Sequence, residues 1–355
     1  MGETPQVNNG DNKWQIKSLH HNRFTGILKV EIQKAPQTLL HRIPNFLCSF
    51  GFVSSRPMFR ILVAFFFCVL MPSAFAQVKV IPLHPSHSFP LSKPCLHQEI
   101  IDTTKTGLPD RISKVSEPRI WLYPAKKNDD REKKALLVLP GGGYSFVSVE
   151  NEGRKMGERF SKEGYDVVVL VYRLPMSDCQ TDSKWVPLTD AMNALQWIRD
   201  QKYVKVGLIG FSAGGHLAAS LSTLIEKNPH RPSLPQVNAA CLVYPVIDFE
   251  TYTHTMSRKK LLGADTSSAD FLRQFSLQHQ VNTKTPPTIL IHSADDKTVP
   301  WQNSLLYTEA LQKAGVKAEF HLFPTGGHGF GLGTSERAEA PDWVPLALQF
   351  FMKML

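Results

Sequence analysis

Gly210-Phe211-Ser212-Ala213-Gly214 sets a serine between two glycines. It follows the apolar run Val204 to Ile209 and precedes a helix-like run from His216 to Glu226. Gly-x-Ser-x-Gly between a strand and a helix is the sharp turn that lifts a serine hydroxyl off a sheet edge. The glycines are needed where neighbouring backbone leaves no room for a Cβ. A serine hydroxyl is a poor nucleophile at neutral pH. It needs a base to take its proton and a partner to fix the base's tautomer. In this setting the expected chain order is serine, acid, histidine, each on a loop after a strand. Asp295-Asp296 follows the apolar run ending at His292. His328 follows the run Lys317 to Phe323, inside Gly326-Gly327-His328-Gly329-Phe330-Gly331. The assignment is Ser212 as nucleophile, His328 as base and Asp296 as the orienting acid. Asp295 competes with Asp296, since one of the pair reads as a turn residue or helix cap before Val299-Pro300. Asp248 is a more distant rival.

A tetrahedral intermediate needs fixed N–H donors for its oxyanion. Pro140-Gly141-Gly142-Gly143-Tyr144 follows the apolar run ending at Leu139 and could aim two amides at the site. The residue after the nucleophile adds a third. Gly142, Gly143 and Ala213 are therefore the expected oxyanion donors. Tyr144, His216 and Trp301 are candidates to line the substrate pocket, and each reads equally well as packing. A phosphate cradle would want Gly-x-x-x-x-Gly-Lys-Ser/Thr, which is absent. No cysteine or histidine spacing suggests zinc. The chemistry requires neither a metal nor an organic cofactor.

These residues must be carried by regular elements. Ala135 to Leu139 and Asp166 to Tyr172 are continuous apolar runs, as in strands buried on both faces. Arg119 to Tyr123, Val204 to Ile209, Ala239 to Val243, Thr288 to His292 and Lys317 to Phe323 are the other predicted strands. Helical spacing covers Glu150 to Gly164, Pro187 to Gln201, Gln302 to Ala314 and Trp343 to Met354. The alternation predicts an α/β fold with a mostly parallel, doubly wound sheet. Residues 77–115 read as an extended lead-in, and 249–285 as a small cap near the site.

The N-terminal fifth differs in character. Met58-Phe59-Arg60, the apolar run Ile61 to Met71 and Pro72-Ser73-Ala74-Phe75-Ala76 read as a secretory signal cleaved after Ala76. That run is too short for a comfortable membrane span, so no stable span is expected after cleavage. Residues 1–57 show no sustained apolar period and read as a non-native or disordered extension before a true start at Met58. Residues 77–355 then form the folded domain, expected to be secreted or periplasmic. Eight Lys/Arg and three Asp/Glu in residues 1–60 account for +5 of the formal +9 charge. The remaining +4 gives no argument for nucleic acid, and no basic run is interleaved with aromatics. Cys241 reads as a small buried hydrophobe. Cys95 and Cys179 could pair in an oxidising compartment or remain free.

The segments Pro140 to Tyr144, Tyr172 to Pro175, Gly210 to Gly215, Tyr244 to Val246, Pro286-Pro287, His292 to Pro300 with Asn303-Ser304, and Gly326 to Gly331 resemble the α/β-hydrolase superfamily. They are closer to its esterase/lipase branch, which includes secreted bacterial acetyl xylan esterases. The likeness spans roughly residues 117–355. It departs from many esterases in having Pro140 where a histidine often opens the glycine loop. The resemblance implies removal of acetyl or other acyl groups from plant polysaccharide or other carbohydrate esters. A feruloyl or aryl esterase is the nearest alternative. A serine peptidase of the same superfamily would usually carry a large partner domain, for which residues 77–116 are too few. A carbohydrate-binding protein on an inactive hydrolase fold is the remaining, non-enzymatic reading.

Overall fold

The computed structural model describes the backbone of residues 14–21 and 28–34, and residues 78–84, 89–126, 133–232, 234–333 and 342–355 in full. The signal-like stretch 58–76 lies outside the described residues. The chain divides into two compact units, Met1–Met71 and Pro72–Leu355. In the first, strands β1 (Trp14–His21) and β2 (Leu28–Lys34) pair antiparallel. The expectation of no element in residues 1–57 is thereby corrected. Leu28, Val30 and Ile32 alternate with Lys29, Glu31 and Gln33, a two-residue period confined to one short segment.

The second unit is built on an eight-stranded sheet. Its strands in chain order are β3 (Lys79–Pro82), β6 (Arg119–Tyr123), β7 (Lys134–Leu139), β9 (Asp166–Val171), β10 (Lys205–Phe211), β11 (Ala239–Val243), β12 (Thr288–Ser293) and β13 (Ala318–Phe323). Their spatial order is β13-β12-β11-β10-β7-β9-β6-β3. Pairing is parallel from β13 through β9, and antiparallel for β9–β6 and β6–β3. The lead-in is more structured than the sequence suggests. Besides β3 it carries β4 (Ile100–Thr103) and β5 (Pro109–Ser113), which join β8 (Phe146–Ser148) in a three-stranded antiparallel sheet. Pro, Ser and His masked these short strands, because half-exposed edges carry little apolar pattern.

The helices are α1 (Lys155–Ser161), entered through a π-helical turn at Glu150–Arg154, α2 (Val186–Asp200), α3 (Ser212–Thr223), α4 (Thr255–Leu262), α5 (Ala269–Gln274), α6 (Gln302–Lys313) and α7 (Val344–Met354). Both faces of the sheet are covered. Ala135, Leu137 and Leu139 enter one core cluster, and Leu136 and Val138 the other. That is why β7 is apolar at every position after Lys134. Full burial of each such Val or Leu is worth about 1.5–3 kcal/mol.

The carboxyl ends of the parallel strands align, with Gly210 opposite Leu139, Phe211 opposite Val243 and Ser293 opposite Phe323. Open α/β sheets bind ligands along this edge. Helices α4 and α5 with two short 3₁₀ turns make up the expected cap. Leu277 N–H donates to the Ile247 carbonyl, tying the cap to the segment after β11. Cys95 and Cys179 form a disulfide with Cα atoms 5.0 Å apart, and Cys241 is free and buried. His97 lies beside that disulfide, but both sulfurs are already bonded to each other. Among the described residues no helix is long and apolar enough to cross a membrane.

Candidate active site

Ser212 is the first residue of α3, directly after β10. Its φ is +51°, a left-handed value that costs a non-glycine residue of order 1–3 kcal/mol. The turn is held by close packing. A methyl placed on Gly214 would lie 2.1 Å from the Leu139 carbonyl oxygen, so no side chain fits there.

The three separated loops meet. His328 Nε2 lies 2.9 Å from Ser212 Oγ, and its Nδ1 lies 2.7 Å from Asp296 Oδ2. An ionised carboxylate only accepts, so Nδ1 carries the proton and donates it. Nε2 is left with its lone pair facing the serine hydroxyl. Asp296 Oδ1 accepts from the N–H groups of Thr298 and Val299, each at 2.9 Å. Burial alone would raise the Asp296 pKa. Bonds from His292 and His328, the charge of His328 and the Val299 amide outweigh it and hold the carboxyl well below the usual range.

The structure separates the three aspartates. Asp296 bonds the imidazole. Asp295 accepts from Gly327 N–H at 2.8 Å and so anchors the loop that carries His328. Asp248 accepts from the N–H groups of Glu250, Thr251 and Tyr252 and from Gln278, organising the start of the cap.

The glycine loop lies against the nucleophile. A methyl on Gly141 would sit 2.9 Å from Ser212 Cβ. Gly142, at φ +129°, has its carbonyl turned back to accept from Ser145 and Phe146 N–H. Among the described residues no protein acceptor is found for the N–H groups of Gly142 and Gly143. Ala213 N–H belongs to the first turn of α3, which no intrahelical carbonyl reaches. All three amides are available to an anion, with the positive end of the α3 dipole behind Ala213. From the cap, Met256 Cε and His254 Cε1 would lie 3.0 and 3.7 Å from a methyl placed on Gly143.

The pocket-lining candidates fare differently. Tyr144 and His216 lie in the core, not on the pocket wall. Tyr144 Oη donates to His216 Nδ1 at 2.9 Å, and His216 Nε2 donates to the Phe275 carbonyl at 2.9 Å. The His216 ring stacks on Phe249 at 4.5 Å and is 0% exposed. Trp301 is half-buried and precedes α6, its carbonyl accepting from Ser304 N–H.

Burial lowers the His216 pKa to about 4. The unfolded chain binds this proton near the ordinary value of about 6.5. Stability from keeping His216 neutral is therefore complete above the unfolded value and is lost as pH falls toward the folded one. Denaturant unfolding from pH 7 to pH 4 should show wild type losing roughly 3 kcal/mol more than His216→Phe across that window. Parallel pH slopes for the two proteins would contradict this.

Sequence reasoning passed over Glu152 and gave Tyr244 and His292 no role of their own at the site. Glu152 is 5% exposed, accepts from Gly141 N–H at 2.6 Å and bonds Tyr244 Oη at 2.8 Å. His292 donates from Nε2 to the Val299 carbonyl at 3.0 Å, bonds Ser304 through Nδ1 and lies 3.3 Å from Asp296. An acid in the first turn of a helix ordinarily reads as a solvated partner of the dipole. Only tertiary contact reveals Glu152 as buried.

The arrangement is a hydroxyl, a base, an orienting carboxylate and free amides. Nucleophilic acyl transfer requires these parts. Residues 122–311 match the BD-FAE family. The acetylxylan esterase of Xylanibacter ruminicola is 34% identical over 211 residues, 57% of this chain and 42% of that protein. Endo-1,4-beta-xylanase B of Butyrivibrio fibrisolvens is 33% identical over 230 residues, 62% of this chain and 35% of that protein. The chain thus spans less than half the length of these two curated relatives. An acetyl ester-xyloside bifunctional hydrolase from Caldicellulosiruptor lactoaceticus is 30% identical with a TM-score of 0.62, covering 79% of this chain and 98% of that one.

Proposed function

The chain belongs to the BD-FAE family, and from that premise and the site geometry we propose that it is a serine esterase acting on acylated carbohydrates. The observation that carries the reading is the unbroken chain of hydrogen bonds from Asp296 through His328 to Ser212. Ser212 Oγ attacks the ester carbonyl carbon while His328 Nε2 takes its proton. The oxyanion is held by the amides of Gly142, Gly143 and Ala213. The C–O bond to the leaving alcohol breaks as His328 returns the proton to that oxygen. Water then attacks the acyl-enzyme by the same route, its proton passing through Nε2 to Ser212, and the free acid departs. Asp296 keeps Nδ1 protonated and favours the transient imidazolium.

Acetyl is the proposed acyl group and a plant polysaccharide the proposed carrier, supported by the names of the similar proteins. Acetate release from acetylated xylan should exceed, by at least ~10-fold in kcat/KM, hydrolysis of methyl ferulate. The reverse order would move the substrate class to aryl esters. Export to an oxidising compartment is part of the proposal. The signal-like stretch 58–76 and the Cys95–Cys179 disulfide support it. Sequencing the N-terminus of the exported protein should begin at Gln77. A mature terminus upstream of Met58 would reject the leader assignment.

A further inference from the structure

We propose that Glu152 is a positioning residue that clamps the glycine loop and the histidine loop into one frame around Ser212. This rests on the esterase reading and deepens it. The carboxylate sits at a junction of two donors. Its Oε2 accepts from Gly141 N–H at 2.6 Å, immediately before the amides assigned to the oxyanion. Its Oε1 accepts from Tyr244 Oη at 2.8 Å, and the same hydroxyl accepts from Gly331 N–H at 3.2 Å. Gly331 closes the loop that carries His328. Tyr244 also packs its ring 4.9 Å from the His328 imidazole and 4.5 Å from Phe330.

The chemistry of the acceptor is specific. A peptide N–H can only donate. The Tyr244 hydroxyl, receiving from Gly331, has its proton directed to Glu152. Two acceptor oxygens are needed at one point, and only a carboxylate supplies both. Glutamine has one acceptor oxygen, so its NH₂ must either oppose Gly141 N–H or face Tyr244 Oη, where the hydroxyl proton has to turn away and the bond that Tyr244 donates is lost. The described hydrogen-bond partners of Glu152 are these uncharged groups, and burial pushes its pKa up. Burying a carboxylate with no bonded cation is costly. The return is geometric, because the position of Gly141 sets where the next two amides point.

The test uses the full chain with Glu152→Gln, Tyr244→Phe and the double variant, each first checked for a cooperative thermal transition. With p-nitrophenyl acetate, Glu152→Gln should lower kcat about 10²-fold, the effect of misplacing donors by an ångström, with KM within ~3-fold. Tyr244→Phe should lower kcat roughly 10-fold. The double variant should lose less than the product of the two single losses, because Tyr244 and Glu152 belong to one hydrogen-bonded chain from Gly141 to Gly331. Hydrogen exchange in segments 140–146 and 326–333 should rise together in Glu152→Gln, and this reads the coupling even if wild type hydrolyses no ester. A folded Glu152→Gln with kcat within ~3-fold of wild type, or faster exchange in only one loop, overturns the proposal. If Glu152→Gln does not fold, an unchanged kcat in Tyr244→Phe does the same. Failure of the esterase reading shows separately, as an inactive wild type.

Discussion

Ser212→Ala is expected to lower kcat/KM for p-nitrophenyl acetate by about 10⁶-fold, leaving only what the oxyanion donors and binding supply. On the proposed mechanism the loss is large because the hydroxyl is the attacking atom, and it lies at the end of the hydrogen-bonded chain from His328. The fold should survive. Alanine at φ +51° is no more strained than serine there, and the turn is set by packing around Gly214. The melting temperature should stay within a few degrees, so the activity loss can be read as chemistry. A variant that keeps most of its activity would remove Ser212 from the reaction.

Asp296→Asn should cost about 10⁴-fold in kcat, while Asp295→Asn should cost less than ~10-fold. The first substitution is nearly isosteric, yet it reverses a proton. Oδ1 already receives Thr298 and Val299 N–H, so the amide nitrogen of asparagine is forced to the Oδ2 position, facing His328 Nδ1. The imidazole must then carry its proton on Nε2 and cannot accept one from Ser212. Among the described residues Asp295 receives Gly327 N–H, and an asparagine oxygen serves as well. The Asp296 carboxylate also has a thermodynamic signature. Its folded pKa is depressed, so its contribution to stability is present above the ordinary carboxylate value of about 4 and is lost as pH falls below it. The melting-temperature gap between wild type and Asp296→Asn should therefore narrow from pH 5 to pH 3. Equal kcat losses at positions 295 and 296 would contradict the assignment.

What was readable in the sequence follows from where information is local. The parallel strands announce themselves because burial on both faces makes them apolar at every position, as Leu136 to Leu139 are. The elbow at Ser212 and the loops at Asp296 and His328 carry chemistry-bearing residues at strand ends, so chain order alone brings them to one edge. The sequence assigned Asp296 but left Asp295 as a rival, and it took coordinates to separate them. Neighbouring residues on a loop point in different directions, and composition does not say which one faces the imidazole. Tyr144 and His216 illustrate the opposite limit. They flank the glycine loop and the elbow in sequence, but their side chains turn inward and satisfy each other at 2.9 Å. Glu152 was invisible for a related reason, since its two partners lie 11 and 92 residues away along the chain. The Cys95–Cys179 pairing across 84 residues likewise depends on how the lead-in wraps back.

The most direct measurement is covalent. Wild-type protein treated with a fluorophosphonate and digested should yield one stoichiometric adduct, on the peptide containing Gly210 to Gly214, with ester hydrolysis lost in proportion to labelling. An active preparation that takes up no label, or takes it at another residue with Ser212 unmodified, would contradict the account.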